Sequence, residues 1–409
     1  MLQSHLNKQK KRIHLLKKKF NSRQNARYPL RFKIQTQLRR LDKSIISLYT
    51  NQSWQSPSLT SPYNQGINKP FTQYEYHRMD LDRTRSQQKL NQHHKKLPQT
   101  FQETLLVNSG MGAFTLIITT LLDHINQTKN YISVGKNSYF EILLFFKENT
   151  FIKSLFIAEN NINEIIKKAE DSNCIAINLD VITNTLHATT INLKTLFSNL
   201  KKIKRSTPLY LLLDTTLAGP NFQCSDYLKT LPNFLHIMLY KSLQKFDQYG
   251  DDKVSGGMLT YITNKTNSPL ALNKYRGILG INIPEINIHS LCNNKLITEK
   301  RYNRINRNGE LIFKYLKQYK KEFKKISFNN GGVVFIQYHY TSKNNYEKKI
   351  NSIIKHAFEQ GLLICNSSSF GFNYTHLMYL EYEHEKFIRL APGMEFSSEI
   401  QTLNPLLRP

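Results

Sequence analysis

Tryptophan occurs once in 409 residues, cysteine four times and glycine 16 times. The cysteines (Cys174, Cys224, Cys292 and Cys365) lie far apart with no Cys-x-x-Cys spacing. That pattern speaks against a disulfide framework and a zinc site, and it fits a reducing compartment, so a cytoplasmic location and no metal are expected. Long apolar runs are also missing. The most extended, such as "AFTLIITTLL", is too short to cross a bilayer, so no membrane partner is expected. The basic N-terminus lacks the apolar region of a secretory signal, while a cleaved organellar presequence stays open. Acidic residues are few, 29 against 57 Lys+Arg, giving a formal net charge of +28. Residues 1–45 carry fourteen Lys/Arg against one acid, Asp42, and so hold nearly half of the excess. The remainder is scattered among Asn and Ile, as in "KKIKRSTP" and "KQYKKEFKK", which favours compositional bias over a nucleic-acid or anionic-surface partner.

What is present is a folded chain, 40% hydrophobic and 11% aromatic, long enough for two domains. Residues 1–60 read as a basic N-terminal arm, partly helical, running into a Ser/Pro/Asn/Gly-rich linker. From Phe101, strand-length apolar runs alternate with helical patterns: "YISVG", "SLFIA", "CIAINL", "LYLLLD", "FLHIMLY" and "GGMLTYIT". Near-continuous apolar strands separated by helices indicate a mostly parallel sheet covered on both faces, an α/β domain over 61–283. The pattern then shifts to a long helix or helical pair and a few strands, a smaller α+β domain over 284–409. In such sheets ligands bind at the carboxyl ends of the strands, so the residues following each run deserve inspection.

Four features sit there. "NSGMGA" (108–113) opens a helix, where backbone N–H groups can approach a phosphate, although a plain Ser N-cap explains it too. Asp214 follows "LYLLL", either as a turn cap or as a buried carboxylate facing a cationic ring nitrogen or a metal. "LYKSLQKFDQYGDDKVSGG" places three lysines after a strand, with Lys241 and Lys253 read as rim and loop charges and Lys245 set apart. Arg389 ends the strand "FIRLAP", as a salt bridge or as the bidentate partner of a substrate carboxylate. A phosphate cradle, a buried acid, a strand-end lysine and a carboxylate-binding arginine are the parts for pyridoxal phosphate chemistry on an amino acid.

From Tyr74 to Glu395 the sequence resembles the Cys/Met-metabolism family of fold-type-I pyridoxal-phosphate enzymes, which includes cystathionine γ-synthase, cystathionine β- and γ-lyases and methionine γ-lyase. "YEYHRMDLDR" is similar to its Tyr-x-Arg segment, "NSGMGAF" to its phosphate turn, "LDVITNTL" to its Glu-x-x-x-Asn-Pro segment and "LLLDTTLAGP" to its Asp-Asn-Thr stretch. "KSLQK" looks like its Ser-x-Thr-Lys, with a Gly-Gly at the same distance, and "NNGGVVFIQY", "SSSFGF" and "FIRLAPGME" resemble its small-domain motifs. The resemblance implies a large domain with a seven-stranded-type, mostly parallel sheet and pyridoxal 5'-phosphate as cofactor. Lys245 would form the Schiff base and shuttle protons, with Tyr139, stacked on the ring, and Tyr76 as further catalytic groups. Asp214 would pair with the ring nitrogen and Asn184 would lie near the ring hydroxyl. Ser109, Gly110, Met111 and Ser242 would hold the phosphate, together with Tyr76 and Arg78 from a neighbouring subunit. The active sites would then be shared within a homodimer or homotetramer. Ser369 and Arg389 would bind the substrate carboxylate.

Several positions depart from the family pattern. Gln244 stands for the Thr before the lysine, Thr215 for an Asn, and Phe140-Glu141 for Gly-Gly or Gly-Cys, which puts bulk and charge beside the substrate. The activity implied is β- or γ-elimination, or γ-replacement, on an amino acid, with a sulfur amino acid of the trans-sulfuration type as the default. Elimination of a non-sulfur leaving group and a degenerate, binding or regulatory role are the alternatives.

Overall fold

The computed structural model describes residues 95–125, 129–250, 254–283, 291, 295–382 and 384–409. Tyr76, Arg78, Lys253 and the basic arm lie outside the described residues. The first part alternates strands and helices: β1 (Phe101–Val107), α1 (Gly110–Leu122), β2 (Tyr131–Gly135), α2 (Phe140–Glu148), β3 (Ser154–Ile157) and α3 (Ile162–Glu170). It continues through β4 (Cys174–Asp180), α4 (Leu193–Leu200), β5 (Leu209–Asp214), β6 (Leu235–Ser242), β7 (Gly257–Thr263) and α5 (Leu272–Ile278).

These strands form one seven-stranded sheet in the order β1-β7-β6-β5-β4-β2-β3. Only β7 runs against the others. The apolar runs are explained by burial on both faces. On β5 and β6, Leu211, Leu213, Ile237 and Leu239 enter one core cluster. Their alternate neighbours Tyr210, Leu212, Met238 and Tyr240 enter the other. Each fully buried aliphatic side chain of this kind contributes about 1.5–3 kcal/mol. The helices start where capping residues allow it: Asn161 accepts from the Glu164 N–H and Asn192 from the Thr195 N–H.

The second part comprises α6 (Lys295–Gln318), β8 (Lys325–Phe328), β9 (Val334–Gln337), α7 (Lys343–Glu359), β10 (Ile364–Asn366), β11 (Thr375–Tyr382), β12 (Glu385–Ala391) and α8 (Ser397–Leu406). Its five strands pair in the order β10-β11-β12-β9-β8. A separate core packs Ile312 and Leu316 of α6, Tyr346 and Ile350 of α7 and Ile400 of α8 against Val334, Ile336 and Ile388. A large, mostly parallel α/β sheet accompanied by a smaller α+β unit is the expected architecture. Among the strands, β1 and β11 do not stand out as apolar runs in the sequence, because polar residues interrupt them.

Candidate active site

The parallel strands deliver their last residues to one rim. Asp180 and Asp214 end β4 and β5 as register partners. Asp214 Oδ1 accepts from the Thr216 N–H at 2.8 Å. Thr216 Oγ1 in turn accepts from the Ser242 N–H at 3.1 Å, tying the ends of β5 and β6 together. Opposite them, Ser109 caps α1, its hydroxyl accepting from the Gly112 N–H at 2.9 Å. A Cβ added to Gly110 would stand 3.0 Å from Ser242 Cβ, and one added to Gly257 would overlap the Ser109 carbonyl. Glycine is therefore required for the α1 turn to close on β6 and β7, and it leaves the backbone N–H groups of that turn facing the rim.

Lys245 lies in the turn after β6. Its Nζ donates to Ser369 Oγ at 2.8 Å and sits 5.3 Å from the centre of the Phe370 ring. The following loop is held from inside. Gln248 donates to the Leu243 carbonyl at 3.1 Å and the Val254 carbonyl at 2.6 Å, and its Oε1 accepts from the Val254 N–H at 3.1 Å. Lys241, expected as a rim charge, is instead 3% exposed and paired with Asp247 at 2.7 Å. A buried ammonium is tolerable when it is paired in this way. Gln244 faces the cavity and its N–H donates to Ser242 Oγ at 3.4 Å.

The second sheet closes the site. Arg389 on β12 is 5% exposed, donates to the Ser368 carbonyl, and leaves its Nε without a hydrogen-bond partner. Burial lowers its guanidinium to about 10. An incompletely satisfied, desolvated cation is a strong receptor for a carboxylate. Ser369 reaches Lys245, while its neighbour Ser368 serves Arg389 through its carbonyl. Tyr139, at the N-terminus of α2, packs its ring 4.8 Å from that of Phe140. Burial, and next the carboxylate of Glu141, push its hydroxyl up to about 12. Burial also raises Asp214, although Thr216 and the Lys245 charge pull it back.

These side chains converge on a cavity of about 730 Å³. Ser109, Gly110, Met111, Tyr139, Asn184, Asp214, Ser242, Lys245 and Arg389 all line it. Ser369 meets it through Lys245. Sequence reasoning missed Asp180, 5% exposed on the cavity wall, and the β11 residues Met378, Leu380, Glu381 and Tyr382. Asp180 ends "CIAINLD" just as Asp214 ends "LYLLLD", so the signal was there to find. Among the described residues no cluster of three or more metal-ligating side chains occurs, and no helix is long and apolar enough to cross a membrane.

No family profile matches the sequence. Among solved structures, cystathionine γ-synthase from Xanthomonas oryzae pv. oryzae, in complex with aminoacrylate and cysteine, superposes with a TM-score of 0.54 at 13% identity, covering 74% of this chain and 80% of that one. The metB structure from Corynebacterium glutamicum gives 0.55 at 16% identity, covering 75% and 81%. A putative O-acetylhomoserine (thiol)-lyase from Campylobacter jejuni subsp. jejuni, carrying a pyridoxyl-lysine monophosphate, gives 0.55 at 16% identity, covering 74% and 81%. The chain thus has the fold of these fold-type-I enzymes in a strongly diverged sequence. By sequence it is 24% identical over 319 residues to the bifunctional enzyme flvA of Aspergillus flavus. That match takes in 73% of this chain but only 38% of the relative's length.

Proposed function

We propose that this protein is a pyridoxal 5'-phosphate enzyme that eliminates or replaces a substituent at Cβ or Cγ of an amino acid, with a sulfur amino acid as the default substrate. The observation that carries this reading is the convergence of Lys245, Asp214 and Arg389 on one cavity beside the Ser109-Gly110/Ser242 turn. The residues fit the cofactor. The turn is glycine-lined where a phosphate would approach, and Asn184 Oδ1 and Asp180 Oδ1 are buried without hydrogen-bond partners. The fold is shared with a cystathionine γ-synthase and with a lyase carrying a pyridoxyl-lysine.

When bound, the cofactor supplies an electron sink conjugated to the substrate Cα. The remaining work falls to this chain. Ser109, Gly110, Met111 and Ser242 would hold the phosphate through hydroxyls and backbone N–H groups. Asp214 would stay ionised against a ring N–H, because an adjacent cation offsets the burial that otherwise raises its pKa. Asn184 would offer a hydrogen bond to the ring hydroxyl. Arg389 would fix the substrate carboxylate, setting which Cα bond faces Lys245. Lys245 would anchor the cofactor through its amine and, once released by the substrate amine, take the Cα proton and return it. Ser369 already orients that amine at 2.8 Å. Tyr139 remains protonated at neutral pH, and so can donate a hydrogen bond. Tyr76 and Arg78, proposed to come from a second subunit, would complete the phosphate site.

The test is optical and chemical. Purified protein incubated with pyridoxal phosphate is expected to show a band near about 420 nm that Lys245→Ala abolishes. Keto-acid release from β- and γ-substituted amino acids would then identify the leaving group. A colourless wild-type protein would refute the assignment.

A further inference from the structure

The turn from Ser368 to Gly371 serves both cations of the site at once. The Ser369 hydroxyl accepts from Lys245 Nζ at 2.8 Å, and the Ser368 carbonyl accepts from the Arg389 guanidinium. The Phe370 ring lies 5.3 Å from Lys245 Nζ and 6.0 Å from the Arg389 guanidinium carbon. Gly371, with a φ of +83°, packs on the Lys245 carbonyl too closely for a Cβ. Four consecutive residues therefore set the lysine and the arginine relative to one another. They belong to no helix or strand, so their shape must be fixed from outside.

Arg301 on α6 supplies that support. It is 8% exposed and donates to the Gly371 carbonyl at 3.1 Å and to the Asn373 side-chain oxygen. The two bonds come from different guanidinium nitrogens, so the planar fork fixes the spacing of residues 371 and 373. The same guanidinium lies against Gly250, further along the loop that carries Lys245, where an added Cβ would stand 2.6 Å from an Arg301 nitrogen. One side chain thus meets the Ser368–Gly371 turn and the lysine loop together. Tyr302, its neighbour on α6, sets its ring edge-on to Phe246 at 5.0 Å, and Phe246 in turn lies 5.5 Å from Phe370. A buried arginine could simply fasten its helix. Fastening alone would not require both of these bonds to fall on the stretch that carries the contacts to Lys245 and Arg389.

We infer that Arg301 is a positioning residue that clamps the segment 368–373 against the lysine loop and so sets the spacing of Lys245 and Arg389. Arg301 does not line the cavity and acts through the turn alone. The inference rests on the proposed cofactor chemistry and adds to it the group that aligns the two ends of a substrate, its amine and its carboxylate. Without the clamp the turn relaxes, and a misplacement of about 1 Å between two orienting groups can cost about 100-fold.

Two ligands that differ only in the carboxylate read that spacing: L-norvaline and n-butylamine, titrated into the whole cofactor-loaded chain and followed by the change in its visible band. The wild type is expected to prefer L-norvaline by at least about 10-fold. In Arg301→Met the preference of the coloured protein should shrink to below about 3-fold. Arg301→Lys keeps a buried cation without the fork and should fall between the two. If Arg301→Met fails to fold or to take up cofactor, Arg301→Lys decides, with a preference at least about 2-fold below the wild type expected. A residue that only fastens α6 would lower the melting temperature of both variants and leave the carboxylate preference unchanged, which overturns the inference. So does a coloured wild type that does not favour L-norvaline or responds to neither ligand. A wild-type protein that never develops the band refutes the cofactor reading instead.

Discussion

Asp180 has a buried carboxyl group with no ion pair among the described residues. It stands beside Asp214 in the sheet register, and burial, then the charges of Asp214 and Glu159, hold its pKa well above the ordinary carboxylate range. Glu159 itself is fully buried, its carboxylate accepting from the Asn137 side chain at 2.9 Å, and burial raises it too. Carboxyls raised in the folded state bind protons more tightly there than in the unfolded chain. Their stabilising contribution is therefore complete below the unfolded pKa and is lost as pH rises through the folded pKa. Protein without cofactor should thus lose melting temperature as pH climbs above the unfolded carboxylate range of about 4. Asp180→Asn, neutral at every pH, should flatten that slope, as calorimetry at several pH values would reveal; an unchanged slope would mean that Asp180 does not titrate in this window. Gly371 makes a second residue-scale case. Its φ of +83° and its contact with the Lys245 carbonyl leave no room for a Cβ. Gly371→Ala should displace Lys245 and reduce cofactor occupancy, read as visible absorbance per chain, by more than its effect on helix content by circular dichroism.

At the scale of elements, the loop from Leu243 to Gly256 connects β6 to β7 and carries the lysine. Its shape depends on two side chains that look like ordinary loop polarity in the sequence. Gln248 satisfies three backbone groups from inside the loop, and the buried Lys241–Asp247 pair fixes its start. Gln248→Ala leaves those groups unpaired at about 1–3 kcal/mol each, less whatever water recovers. Lys241→Met removes the buried ammonium from Asp247 and should cost at most about 3–5 kcal/mol. Denaturant melts would measure both, and a loss below about 0.5 kcal/mol for either would show that the loop is held by something else.

The same loop shows what a sequence discloses. Asp214 was legible because it closes an apolar run at a strand end, and Lys245 because it follows one by a short turn; Arg389, expected at a strand end, instead interrupts an apolar run inside β12, where it pairs with Met378 and Phe335. β2 and β4–β7 were legible because burial on both faces makes their runs continuous. β1, "FQETLLV", lies at the sheet edge, and β11, "THLMYLEY", carries Thr375, His376 and Glu381 among its apolar residues, so polar positions break their runs. Missing β11 meant missing Met378 and Leu380, since nothing local marks them as facing a cavity. Lys241 was misread for the converse reason: its partner lies six residues on, and only the folded chain brings the two together out of solvent.

At the scale of the molecule, the cavity belongs to both sheets. Its floor is the carboxyl rim of β4, β5 and β6, and its far wall is β11 and β12. Direct bonds also join the two parts. The Tyr382 hydroxyl donates to the Lys136 carbonyl at 2.7 Å, the Tyr302 hydroxyl donates to the Leu217 carbonyl at 3.0 Å, and the Asn329 side chain donates to the Thr183 carbonyl at 2.9 Å. Gly331 packs against Leu217. A ligand that touches both walls is therefore linked to the folding of both. A site occupied at 100 times its dissociation constant adds about 2.7 kcal/mol to the folded state, and a covalent anchor adds more. Pyridoxal phosphate should then raise the melting temperature of the whole chain in one cooperative transition, with the second sheet shifting together with the first. Lys245→Ala should keep a smaller, concentration-dependent shift from phosphate and ring contacts alone. Differential scanning calorimetry with and without cofactor decides it. Two separable transitions, of which only one moves with cofactor, would mean that the small sheet merely borders the site and takes no part in holding what binds there.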